Sequence, residues 1–388
     1  MTRLISILGS TGSIGTNVLK VVDKMPGAFR VAALAGGRNA GLMAEQIEKY
    51  RPSFVSVLDK KQAESIRSRA RRFGTKVLWG DTAAEEIASL DGVDIVISAI
   101  TGMAGFRPTL AAAQKGTVLA LANKESMVVG GRLIRQAARR FRTKIVPVDS
   151  EHSGVFQCLC GRRKKFVRRL ILTASGGPFF RTPAAEIKNK TVAQVLRHPR
   201  WHMGRKVTVD SATMINKGLE LIEARWLFDF PPDKLDVLIH PQSVVHSLVE
   251  FEDGSILAQL SATDMKIPIQ YALTYPERVN SSLPRLDLAG VKRLEFFPVD
   301  VRRYPLFQTA REALESGGSA PVALNAANET AVAAFLNASI GFTDIARVVI
   351  EVLDRYVPGP TDSVGAVFEI DRQARRLAED SIILRKKG

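Results

Sequence analysis

A chain of 388 residues, 46% hydrophobic and 24% charged, has the make-up of a soluble globular protein of two or three domains. No apolar run approaches the ~20 residues of a membrane span, and MTRLISILGS carries neither a signal-peptide core nor a transit-peptide pattern, which predicts a cytoplasmic protein with no membrane partner. The net charge of +16 suits phosphorylated ligands or a polyanion, but the basic residues are dispersed, with local clusters at 67–72, 139–142 and 162–169, so no specific nucleic acid is expected.

In chain order, the first ~150 residues alternate short apolar runs with helical stretches. LISIL (4–8) meets a glycine turn and a helix near 15–24. VAALA (31–35), a helix over 40–50, FVSVL (54–58) and a helix over 60–73 follow. Then come KVLWG, DIVISAI (94–100), a helix near 106–115, TVLALA (117–122), a helix near 131–141, and KIVPV (144–148). This alternation predicts α/β architecture, a doubly wound Rossmann-like domain over 1–149.

After Ser150 the pattern shifts to RLILTAS (169–175), KVTVD (206–210), DVLIH (236–240), VVHSLVEF (244–251) and SILAQL (255–260), read as strands of a central α+β domain over 150–274. Residues 275–300, with YPERVNSSLPRLDLAG, read as a linker. From 301 to 388 the periodicity is helical (306–315, 321–337, 342–356, 371–384), with glycine stops at Gly317, Gly318 and Gly341, which predicts a C-terminal helical bundle. Cys158 and Cys160 sit too close for an easy disulfide and lack companions for a structural zinc site.

Three groups of residues carry chemistry. Gly9, Gly12 and Gly15 stand between the first strand and first helix, where small residues let backbone approach a pyrophosphate and a helix N-terminus supplies amides. Strand two ends without the acid that usually reads an NAD ribose. It has Arg38 instead, suited to a 2′-phosphate, which predicts NADP(H). Asp149 and Glu151 follow a strand end and would share a face if the chain stays extended. Glu220 and Glu223 share a side of the next predicted helix. Three carboxylates suit a hard cation, and spacing does not rank Glu220 over Glu223. All five histidines (His152, His198, His202, His240, His246) fall within 152–246, a clustering expected of a working site.

The segments GSTGSIG, ALANKES (120–126), VDSEHS (148–153), TASGGPF (173–179), HPRWHMGRKVTVDSATMINKGLE (198–220), HPQSVVHSLVEFEDGS (240–255) and ALNAANE (323–329) closely resemble 1-deoxy-D-xylulose 5-phosphate reductoisomerase, in order over nearly the whole chain. The resemblance implies a homodimeric, NADPH-dependent oxidoreductase. It would rearrange 1-deoxy-D-xylulose 5-phosphate and reduce it to 2-C-methyl-D-erythritol 4-phosphate in non-mevalonate isoprenoid precursor synthesis. It implies a divalent cation (Mg²⁺, Mn²⁺ or Co²⁺) on Asp149, Glu151 and Glu220, with Glu223 in a structural role. It implies NADPH contacts from Thr11, Gly12, Ser13, Ile14, Gly37, Arg38, Asn39, Asn123, Glu125 and Gly204. Ser175, Ser211, Asn216 and Lys217 match phosphate-holding positions, and Lys124, Ser150 and His198 positions around the reacting carbons. Trp201 and Met203 match a flexible lid at about 197–206, and His246 a supporting histidine. Arg200-Trp201-His202 departs from the usual Asn-Trp-Ser, and the basic run at 161–169 is not a family requirement. A reductase of another phosphorylated sugar, or a basic nucleic-acid-binding protein, would be the competing readings.

Overall fold

A computed structural model describes residues 2–197, 201, 203–280 and 282–386. The chain divides into two compact units. One comprises Met1–Ser126, Arg132–Ser153 and Asp264–Pro284, the other Met127–Gly131, Gly154–Thr263 and Arg285–Gly388.

The first unit is built on seven strands: β1 (Arg3–Leu8), β2 (Phe29–Ala35), β3 (Phe54–Val57), β4 (Lys76–Trp79), β5 (Ile95–Ser98), β6 (Val118–Leu121) and β7 (Lys144–Pro147). The helices between them are α1 (Ser13–Asp23), α2 (Ala40–Tyr50), α3 (Lys60–Arg72), α4 (Ala83–Ala88), α5 (Phe106–Ala113) and α6 (Lys124–Phe141). All neighbouring strands pair in parallel, in the order β4-β3-β2-β1-β5-β6-β7. Strands covered on both faces must be apolar throughout, and the fully buried Ile5, Ile7, Leu8, Leu34, Ile95 and Ile97 meet that demand. Burying each such side chain contributes roughly 1.5–3 kcal/mol. Side-chain caps start three of the helices. Asn39, Asp59 and Asn123 accept from the backbone N–H groups of Leu42, Gln62 and Ser126, respectively, satisfying donors that a helix N-terminus leaves open.

Two of the basic clusters have a structural explanation. Arg69, Arg71 and Arg72 occupy the last turn of α3, and Arg139 and Arg140 that of α6, where cations complement the negative end of the helix dipole.

Helix α7 (Ser150–Leu159) follows β7 directly. The second unit then adds strands β8 (Val167–Ala174), β9 (Leu235–Ile239), β10 (Val245–Phe251), β11 (Ile256–Leu260) and β12 (Phe297–Pro298), with helices α8 (Val192–Val195), α9 (Arg205–Ala212) and α10 (Ile215–Phe228). These five strands form a mixed sheet in the order β11-β10-β8-β9-β12, with β8 and β9 parallel and the other pairs antiparallel. Helix α11 (Lys266–Thr274) belongs to the first unit, where it packs on α1 and β7. After the short α12 (Leu288–Val291), helices α13 (Pro305–Ser316), α14 (Ala320–Leu336), α15 (Asp344–Arg355) and α16 (Val364–Lys386) form the expected bundle around α14. Much of the 161–169 run is tied down. Arg169 bridges Glu250 and Asp236, Arg168 pairs with Glu250, and Lys164 donates to the Phe228 carbonyl.

Two local expectations need correction. KVTVD is not a strand: residues 205–212 form α9. The β-branched run favours a strand, but Thr208 and Val209 are buried on a helix face, Thr208 Oγ1 bonds back to the Gly204 carbonyl, and Lys206 pairs with Asp210 one turn on. Packing overrides propensity here. Likewise, the chain is not extended across Asp149 and Glu151. Helix α7 opens at Ser150, with the Ser153 amide donating to the Asp149 carbonyl at 2.8 Å.

Candidate active site

The glycine loop sits where the sheet order reverses. Strands β2, β3 and β4 extend from one side of β1, and β5 returns to its other side; ligands of such sheets bind in the crevice at that reversal. Gly9, just past β1, has φ +87°, and a Cβ there would lie 2.5 Å from the Ala99 carbonyl oxygen beyond β5. A Cβ on Gly15 would lie 2.3 Å from the Gly9 carbonyl oxygen. The backbone is therefore closed tightly around itself at two positions, and α1 begins at Ser13 with its first-turn amides toward the loop. Thr11, Gly12, Ser13 and Ile14 form the turn and first helical residues. Gly37, Arg38 and Asn39 are exposed at the end of β2, and no atom crowds Gly37. Asn123 differs from these. Its side chain donates to the Ile100 carbonyl and to Glu125, and caps α6, so the amide orders the loop from within.

At the end of β7, Asp149 forms a 2.7 Å ion pair with Lys124, both side chains nearly buried. Ser150 donates to Glu151. One carboxylate oxygen of Asp149 lies within 4.8 Å of a Glu151 oxygen and, in a second grouping, of a ring nitrogen of the fully buried His152. His152 had no separate role in the sequence reading, although the VDSEHS motif contains it.

In the second unit, the loop after β8 carries Ser175, whose Oγ accepts from the Gly177 amide at 3.2 Å. Gly177 has φ +71°, and a Cβ there would lie 2.6 Å from the Ser211 carbonyl oxygen. Two of the expected phosphate-holding segments are thus in backbone contact. Helices α9 and α10 are joined through Thr213 and Met214, Met214 being left-handed at φ +61°. This places Asn216, Lys217 and Glu220 within the first two turns of α10. Asn216 and Lys217 both donate to Glu220, and Lys217 and Glu220 are almost fully buried. Glu223, one turn on, is completely buried, and spacing alone could not have ranked these two acids.

Trp201, expected on a lid, lies tilted against His246 with ring centroids 6.4 Å apart, and His246 Nε2 lies 2.9 Å from Ser261 Oγ. Met203 is half-buried, and Gly204 opens α9. His198, Arg200 and His202 lie outside the described residues. Two side chains that the sequence reading assigned no role also meet this region. Asn328 of α14 donates to Asp210, and Tyr304 donates to the Gly176 carbonyl. Asn328 falls inside ALNAANE, which was the available signal.

The donor chemistry fits a hard divalent cation. Asp149, Glu151 and Glu220, the expected metal-binding residues, offer only carboxylate oxygens, the donors such a cation takes; Lys124 stands against Asp149 and Lys217 against Glu220. Each of these two carboxylates therefore already faces positive charge.

Comparison with known proteins agrees along the whole chain. The family model described as 1-deoxy-D-xylulose 5-phosphate reductoisomerase matches residues 5–131. Its C-terminal domain models match 145–228 and 260–377. The reductoisomerase of Prosthecochloris aestuarii is 47% identical over 97% of this chain and 98% of its own length. That of Chlorobaculum tepidum is 47% identical over 98% and 100%. Among solved structures, the Zymomonas mobilis enzyme in complex with NADPH superimposes with a TM-score of 0.92 at 41% identity, covering 98% of this chain and 99% of that one. A DOX-P reductoisomerase in complex with NADPH, fosmidomycin and magnesium reaches 0.95 at 39% identity, covering both chains fully. The chain belongs to the 1-deoxy-D-xylulose 5-phosphate reductoisomerase family.

Proposed function

We propose that this protein converts 1-deoxy-D-xylulose 5-phosphate to 2-C-methyl-D-erythritol 4-phosphate, using NADPH and a divalent cation, in non-mevalonate isoprenoid precursor synthesis. The observation that carries the reading is the end-to-end family match, with the glycine loop, the acidic residues and the lid in family order. Relatives solved with NADPH and with magnesium support both cofactors.

The reaction first rearranges the carbon skeleton to a branched aldehyde, an isomerisation without redox change. Hydride from NADPH and a solvent proton then reduce that aldehyde to the alcohol. Asp149, Glu151 and Glu220 would hold the cation, which when bound supplies Lewis-acid stabilisation of charge on substrate oxygens. Lys124, Ser150 and His198 are assigned to the substrate hydroxyls, with Lys124 held in place by Asp149. Ser175, Ser211, Asn216 and Lys217 are assigned to the phosphate dianion, where hydroxyl, amide and ammonium donors give strong charge-assisted bonds.

Trp201 and Met203 are assigned to the lid, whose closure excludes water during hydride transfer, and Gly204 to NADPH. Thr11 to Ile14 would take the NADPH pyrophosphate at the α1 N-terminus. Gly37, Arg38 and Asn39 would take the 2′-phosphate end, and Asn123 and Glu125, after β6, are assigned to NADPH as well. We assign the protein to the cytoplasm; no helix among the described residues is long and apolar enough to cross a membrane. We also assign it a homodimeric state. The edge strand β11 exposes Ile256 and Leu257, an apolar edge that a second copy would cover.

The test is an absorbance assay of NADPH oxidation with 1-deoxy-D-xylulose 5-phosphate, with and without added magnesium. Metal-dependent oxidation yielding the branched erythritol phosphate is expected. No oxidation under either condition, with the chain folded, would overturn the reading. Light scattering tests the dimer, and a monomer mass at micromolar concentration removes it.

A further inference from the structure

We propose that Asn328 and Tyr304, both in the C-terminal bundle, are positioning residues for the substrate-phosphate clamp. Asn328 acts through Asp210 and Tyr304 through Gly176. The inference rests on the functional reading above, which assigns Ser175 and Ser211 to the phosphate.

The two serines follow or precede backbone that these bundle residues hold. Asp210 precedes Ser211 and is almost completely buried. Its Oδ1 accepts from Asn328 Nδ2 at 2.9 Å and its Oδ2 from Lys206 Nζ at 2.8 Å. Gly176 follows Ser175, and its carbonyl accepts from the buried Tyr304 hydroxyl at 3.1 Å. The neighbouring Arg303 donates to the Phe179 and Thr182 carbonyls of the same loop. The segments also meet each other, since the backbone at Gly177 leaves no room for a Cβ beside the Ser211 carbonyl. Side chains of the C-terminal region therefore hold both touching strips of chain, with Asn328 bonded one residue before Ser211 and Tyr304 one residue after Ser175.

Asn328 is retained at a cost that points to this role. It is fully buried, and its Oδ1 has no hydrogen-bond partner among the described residues. A half-satisfied buried amide is unfavourable compared with an apolar side chain of similar size. What the amide provides in exchange is the bond to Asp210. That bond also bears on α9, a helix of β-branched residues in an unfavoured conformation that begins where the lid ends. Without it, Asp210 keeps Lys206 alone, a contact internal to α9 that cannot fix the helix to the bundle.

The experiment compares wild type, Asn328→Leu, Tyr304→Phe and the exchange variant Asp210→Asn/Asn328→Asp, each checked for folding by thermal melting. The readouts are KM for 1-deoxy-D-xylulose 5-phosphate, competitive inhibition by inorganic phosphate, and KM for NADPH. Misplaced clamp residues should raise the first KM and the phosphate inhibition constant by about 10-fold each in the single variants, with KM for NADPH unchanged. The exchange variant, which restores an amide–carboxylate bond, should recover to within about threefold of wild type. If Asn328→Leu does not fold, Tyr304→Phe, which loses only a hydroxyl, decides the matter. Unchanged phosphate inhibition in the folded single variants overturns the proposal, as does a parallel rise in KM for NADPH, the mark of general loosening. Wild type without turnover overturns the functional reading and this inference together, whereas an active wild type with unaffected variants removes this inference alone.

Discussion

The two units place functional groups by opposite means. In the seven-stranded unit the glycine loop is a backbone device: Gly9 and Gly15 are shut against neighbouring carbonyls, and the first amides of α1 follow the loop directly. In the second unit, side chains dominate: Lys217, Asn216 and Glu220 hold each other on α10, and Asp210, Lys206 and Asn328 do so around α9. A backbone site is broken by adding a carbon, whereas a side-chain site is broken by removing a charge or a donor at constant volume.

The largest effect tests the side-chain half. Glu220→Gln keeps shape and loses the carboxylate, so turnover should fall about 1,000-fold or more, as should activity in excess EDTA, while NADPH binding is retained. Full activity in EDTA would remove the cation from the account. Next comes the backbone half. Gly15→Val cannot be accommodated beside the Gly9 carbonyl, and overpacking there should weaken NADPH binding about 100-fold, measured by fluorescence titration. An unchanged affinity would show that the loop does not bind the cofactor. Arg38→Ala sharpens the contrast, since Arg38 is the side chain proposed to read the 2′-phosphate on the backbone half. Loss of a charge-assisted bond should weaken NADPH about 10- to 30-fold and leave NADH unchanged.

The smallest effect concerns His240, at the end of β9. Burial pushes its imidazole below the ordinary 6.5, outweighing the opposing pull of the Glu295 carbonyl it bonds. The folded chain then holds this proton less tightly than the unfolded chain. The associated stability is fully present above pH 6.5 and is lost as pH falls through the depressed folded value. Melting temperature should drop on acidification, and His240→Gln should flatten that part of the slope. An identical slope in the variant would assign the effect elsewhere.

What the sequence disclosed follows the same division. The glycine loop was legible because Gly9, Gly12 and Gly15 are local, and a strand–turn–helix signal needs only a few residues. The parallel sheet and the bundle were legible for the same reason: each element's periodicity is its own. The helix over 205–212 was not, because Val207, Thr208 and Val209 favour a strand and the contacts that overrule them come from elsewhere. Asp210 meets Asn328 across 118 positions of sequence, and no spacing rule spans that distance. The extended reading of Asp149 and Glu151 failed because the helix start at Ser150 is set by the Ser153 amide closing on the Asp149 carbonyl, a bond without a strong residue signature. Glu220 and Glu223 stayed equivalent until the family resemblance separated them, and Glu220→Gln now tests that assignment.

The tight approach at Gly177 has a consequence for how variation at this site would be read. With its positive φ and the Ser211 carbonyl where a Cβ would lie, position 177 should tolerate no substitution in a saturation library. It would score there as strongly as a ligand-binding residue while offering no functional group at all. Intolerance alone would thus misassign it to the chemistry. Only a second-site change that frees the Ser211 carbonyl could separate steric exclusion from recognition.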